Sequence, residues 1–147
     1  VRGDGVIAAV LLAAQGLTGC AAAKGPIAQD ECALADSMRV NANCKDQQAQ
    51  ADMNICSYRD YLRADIALNQ AWAKVTARLK PEKPGEDGVF SRLLAGQRAW
   101  LTYRTKQCSL WAKYYDGGSI TSLAINQCRI DITNFRINEL KQLLEEG

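Results

Sequence analysis

The 147-residue sequence predicts an all-α fold: an antiparallel bundle of three long helices, stapled by disulfides and preceded by a tether or one short helix. Three observations predict it. Only three prolines occur, and two of them, Pro81 and Pro84, share one charged, glycine-bearing loop. Apolar residues step by three and four along three long stretches, the period of a helix face. Six cysteines in 16.1 kDa call for an oxidising compartment.

The elements follow in order. Val6 to Ala14 is a run of nine apolar residues, too short to span a bilayer and suited to the core of a secretory leader. Leu17-Thr18-Gly19-Cys20 comes directly after and resembles the bacterial lipobox. That resemblance implies a leader over residues 1–19, a diacylglyceryl group on Cys20 and a stable hold on a membrane. Ala21 stands where an inner-membrane retention aspartate would be, so the expected address is the outer membrane, facing the periplasm.

Residues 20–43 read as a tether with a possible short helix near Glu31–Arg39, and residues 44–147 as the helical domain. The first long helix is expected over Ala49–Leu79, with Tyr61, Asp65, Leu68, Trp72, Val75 and Leu79 on one face. The loop Lys80–Gly88 ends it. The second is expected over Val89–Tyr115, with Leu94, Gln97, Leu101, Arg104, Cys108, Trp111 and Tyr115 on one face. Asp116-Gly117-Gly118-Ser119 breaks it, Ser119 being an expected N-cap. The third is expected over Ile120–Leu144, with a broad apolar side through Ile120, Ala124, Cys128, Ile132, Phe135, Leu140, Leu143 and Leu144.

Cysteine geometry restricts the pairing. The midpoint of Cys108 and Cys128 is Gly118, inside the predicted turn, so in an antiparallel hairpin the two sulfurs face each other. Cys44 and Cys56 would lie about 18 Å apart on a continuous helix. If the helix starts near Ala49, the loop carrying Cys44 can fold back onto Cys56. Cys32 is then free, paired with a second copy, or paired with Cys20 if that residue carries no lipid. A zinc site would need closely spaced ligands that this chain does not offer.

Several function classes drop out. Histidine is absent, which removes Ser-His-Asp and Cys-His catalysis. The net charge of +2 comes from mixed signs without a basic stripe, against nucleic-acid binding. Asp65 and Arg104 fall on apolar faces that should meet, and buried charges are tolerable only when paired. Asp65 is therefore expected to pair with Arg104, or failing that with Arg98 or Arg136, while Asn69 and Gln97 satisfy the remaining polar atoms. A catalytic Asp65 would want a second carboxylate on its face, and none stands at helical spacing. The aromatics Trp72, Trp100, Trp111, Tyr58, Tyr61 and Tyr103 read as core and hairpin-seam packing, with a sugar-stacking platform as the alternative.

The blocks Gln50-Ala51-Asp52-Met53-Asn54-Ile55-Cys56, Ala64–Asn69, Gln97–Arg104, Gln107-Cys108, Gly117-Gly118-Ser119 and Cys128 occur in order over about Cys44–Leu144. In them the chain resembles the LprI-type lysozyme-inhibitor N-terminal domain, a family of small secreted or lipid-anchored bacterial helical proteins. Cys32 lies outside the four-cysteine pattern of that family. The resemblance implies a non-catalytic inhibitor of a lysozyme-like peptidoglycan hydrolase. The target would come from a host or from a competitor, in which case the protein is an immunity protein. The implied partners are that hydrolase and, through the lipid alone, a membrane; no cofactor, metal or small-molecule substrate is expected. The turn Tyr114-Tyr115-Asp116-Gly117-Gly118-Ser119 is the candidate target-binding loop, because it presents aromatic, carboxylate and hydroxyl groups on a stapled hairpin. A structural or assembly lipoprotein that binds another envelope protein is the alternative.

Overall fold

A computed structural model describes residues 19–146, so the expected leader lies almost wholly outside the described residues. Among the described residues four helices form: α1 over Pro26–Ser37, α2 over Gln50–Leu79, α3 over Val89–Tyr114 and α4 over Thr121–Glu145. No strand occurs among the described residues. Helix α1 begins five residues before the expected Glu31 because Pro26 supplies the first helical position, after Gly25 at φ 87°. Lys80, at φ 38°, turns the chain out of α2. Glu82 then caps α3: its Oε1 accepts from Phe90 N at 2.8 Å and its Oε2 from Ser91 N at 3.1 Å. Against a desolvation push upward, these N–H groups and its own hold the Glu82 carboxyl below its ordinary pKa.

The polar contacts fix the directions. Ser57 meets Asn126, and Arg78 reaches the Leu144 carbonyl, so α2 and α4 run parallel. Gln97 meets Arg136 and Cys108 meets Cys128, so α3 runs against them. Helix α4 packs on both α2 and α3, whereas α2 and α3 touch little; α1 lies along α2 on the outside.

The apolar core is small and sits toward the C-terminal ends of α2 and α4. Leu68, Ala71, Val75, Ile137 and Leu140 are buried, with Trp72, Leu79, Leu93, Trp100 and Leu144 packed around them. Burying one such leucine contributes about 1.5–3 kcal/mol. The expected face of α2 is thus the buried one. That of α4 is so only in part: Leu140 is buried and Leu144 packs on the core as expected, but the other inward residues are Asn126, Thr133 and Ile137, and Phe135 stands outside. The physical reason is its place between α2 and α3, where it must meet polar side chains along its N-terminal half. The opposite end of the bundle, near the 115–120 turn, is held by sulfur and hydrogen bonds.

Candidate functional site

The turn between α3 and α4 is rigid for local reasons. Helix α3 closes with Gly117 N donating to the Ala112 carbonyl at 3.3 Å and Asp116 N to that of Lys113 at 3.2 Å. Asp116 and Gly117 both take positive φ, 48° and 73°, a conformation that suits aspartate and glycine. Trp111 and Tyr115 stack at 5.8 Å, and Tyr114 stands edge-on to both, at 5.5 and 5.1 Å. Tyr114 is nevertheless 69% exposed. One turn below, Cys108 and Cys128 are joined, with Cα atoms 5.6 Å apart.

Ser119 does not cap α4; Ile120 holds that position, and no side chain of the turn bonds to the helix end. The cap comes from across the molecule. Asn54 of α2 donates Nδ2 to the Ser119 carbonyl at 2.8 Å, and its Oδ1 accepts from Leu123 N at 3.2 Å. A single amide thus fixes both the turn and the first turn of α4.

Below the turn, Arg104 Nη1 donates to Asp65 Oδ1 at 2.5 Å and to Thr133 Oγ1 at 2.9 Å, joining three helices. Its guanidinium also lies 4.9 Å from the Trp100 ring centre and 5.5 Å from that of Tyr61. Burial, then the charge of Asp65, push the Tyr61 hydroxyl above its ordinary pKa, although Arg104 and Arg129 oppose them. Arg136 takes a different role: it donates to Gln97 Oε1 at 2.9 Å and pairs with Glu139 at 3.0 Å. Arg98 joins neither group. With Asn69, Gln97 and Asp65 it lines a cleft of about 390 Å³ between α2 and α3, edged by Pro26.

Two participants carried no expectation from the sequence. Asp30 of α1 lies beside Asp65 and Asn69, and its Oδ2 is inaccessible and unpartnered. Burial first, then the Asp65 carboxylate, raise its pKa to about 6. Asp65 therefore does have a second carboxylate next to it, delivered by another helix. The pair is braced by Arg104 and Asn69 and is tied into the fold. Arg59, 5% exposed, donates to the carbonyls of Ser37 and Val40 at 2.7 Å each, closing the C-terminal end of α1.

All six sulfurs are paired. Cys44 is bonded to Cys56, as Cys108 is to Cys128, and Cys20 is bonded to Cys32. The last is the pairing open to Cys32 when Cys20 carries no lipid, since a sulfur in a disulfide has no valence left for a thioether. The bond closes a short loop that ties the segment before α1 onto that helix. The nearby Asp36 completes a group of three potential ligands with these sulfurs, but bonded sulfurs are not thiolates and cannot hold zinc as such.

Along the outer side of α3 and α4, next to the turn, runs a trough. It consists of two adjoining hollows of about 450 and 420 Å³ that share Tyr103, Asp131 and Ile132. The seam reading of Tyr103 is therefore corrected: this ring is 54% exposed, because its stripe on α3 points away from α2. Phe135, 67% exposed, lines the same trough from α4.

The four helices of the described residues, three disulfides and a preorganised aromatic edge define a small stapled α-helical domain. The chain belongs to the LprI lysozyme inhibitor family, whose model matches residues 41–140. An uncharacterized protein of Rhizobium meliloti (strain 1021) is 33% identical over 122 residues, covering 78% of this chain and 88% of that protein. No solved structure matches the chain.

Proposed function

We propose that the protein inhibits a lysozyme-type peptidoglycan hydrolase, without chemistry of its own, by seating the α3–α4 turn in the enzyme's sugar-binding cleft. The observation that carries this reading is the preorganised end of the hairpin, where Trp111, Tyr114 and Tyr115 pack on one another above a disulfide. Membership of an inhibitor family supports the choice of target. A wedge held from three sides loses little ordering entropy on binding, and an exposed tyrosine at its centre is a residue type enriched at binding hot spots. Asp116 adds a carboxylate for the hydroxyl- and amide-rich cleft of such an enzyme.

The compartment proposed with this function is the extracytoplasmic envelope, in keeping with three disulfides in so small a domain. The test is residual muramidase activity with the oxidised protein in molar excess. Inhibition is expected, and Tyr114→Ala should raise the inhibition constant at least tenfold while leaving the thermal melt in place. Full enzyme activity across a panel of host and bacterial muramidases would reject the reading.

A further inference from the structure

We propose that the trough between α3 and α4 binds an uncharged pyranose chain, in a site that adjoins the inhibitory turn and shares Trp111 and Tyr115 with it. Aromatic rings occur along its whole length: Trp100, Tyr103, Trp111 and Tyr115 from α3, and Phe135 from the facing wall. Trp100 and Tyr115 are fifteen positions apart, so the rings extend over about 22 Å. The trough is open and extended, which suits a linear polymer better than a compact ligand.

Three of the five rings are braced by neighbours. Trp111 is stacked on Tyr115, and one face of Trp100 is occupied by the Arg104 guanidinium. Flat, immobile apolar surfaces complement the C–H faces of sugar rings at little entropic cost. Hydrogen-bonding groups lie between them: Gln107 on one wall, with Gln127 and Asp131 on the other.

Charge decides against the other polymers. The two charged side chains lining the trough, Asp131 and Glu139, are both acidic, so a nucleic acid or another polyanion would be repelled. Both are already engaged, Asp131 by Gln127 at 3.0 Å and Glu139 by Arg136 at 3.0 Å. Glu139 is thereby offset by a cation, while Asp131, bonded to a neutral amide, keeps its charge; a single carboxylate along a trough of this length is a weak draw for a basic protein.

Trp100 and Trp111 give the site its own fluorescence signal. The oxidised protein is titrated, with no hydrolase present, with the β-1,4-linked tetramer of N-acetylglucosamine and, separately, of glucose. Saturable binding of either is expected, and the ratio of the two affinities reports whether the acetamido group is read. Tyr103→Ala and Phe135→Ala, both at exposed positions, should each weaken binding at least tenfold, whereas Tyr58→Ala, an exposed aromatic outside the trough, should not change it. Binding of neither tetramer at millimolar concentration overturns the proposal, as does binding that survives both trough substitutions. If the tetramers fail and Tyr103→Ala instead abolishes binding of a cationic lysozyme or a concentration-dependent dimer, the trough is a protein-docking face and the proposal falls. Because no hydrolase is present, this result stands or fails apart from the inhibitory reading.

Discussion

Replacing Asp30 by asparagine should stabilise the protein at neutral pH, although it deletes a charge from a polar cluster. Asp30 meets Asp65 with an inaccessible, unpartnered oxygen, and its pKa is raised from 3.8 to about 6. The folded protein thus holds this proton more tightly than the unfolded chain does. The stabilising effect is complete below pH about 3.8, declines as pH rises, and is gone once pH has passed about 6. A rise of that size has a ceiling of about 3 kcal/mol. The carboxyl keeps substantial contact with water, so screening reduces the expected effect to about 1–1.5 kcal/mol. Asparagine keeps a neutral donor facing Asp65 at every pH. Urea unfolding of both proteins between pH 4 and 7.5 isolates the effect, because every other titrating group cancels in the difference. The variant should gain about 1–1.5 kcal/mol on the parent across that range, with most of the change near pH 5–6. A difference that stays flat with pH, or one that favours the parent at pH 7.5, would refute the shared-proton reading of the pair.

Arg104→Ala leaves Asp65 buried without its partner and should cost about 3–5 kcal/mol in urea unfolding, whereas the double variant Arg104→Leu/Asp65→Leu should recover much of that loss. Asn54→Ala removes the shared cap of the turn and α4; it should cost about 1–2 kcal/mol and weaken muramidase inhibition, with amide exchange rising at Leu123. Replacing Cys108 and Cys128 together by alanine opens a loop of sequence separation 20 and should cost about 3 kcal/mol by loop-entropy arithmetic, read as a lower urea midpoint. Intact mass of the protein purified from the cells that make it tests the Cys20–Cys32 bond. A protein without lipid and with no free thiol is expected, and a diacylglyceryl adduct on Cys20 would show that this bond is absent from the exported form.

The long helices were legible because their determinants are local. The stripe Tyr61–Leu79 reads directly as a buried face, and the Lys80–Gly88 loop carries its own breakers. The Cys108–Cys128 pairing was legible because a hairpin turns contact into simple arithmetic on residue numbers. Helix α1 was legible only as a possible short helix near Glu31–Arg39: it has no buried residue, and it is held by Asp30, by a disulfide and by Arg59 on the carbonyls at its end. None of these has a periodic signature. The cap of α4 was misassigned to Ser119 for a similar reason, since Asn54 lies more than sixty residues away and no local rule connects them. Phe135 and Tyr103 were misplaced inward because an apolar stripe shows that a surface wants covering without saying by what.

The two ends of this bundle depend on different chemistry. Aliphatic side chains hold one end together at any redox potential, while the end bearing Tyr114 depends on Cys108–Cys128 and Cys44–Cys56. In a reducing solvent the greasy half can therefore stay gathered while the edge bearing Tyr114 loses its covalent ties. Oxidation is the step that completes that edge, so the two halves of one small domain answer to different solution conditions.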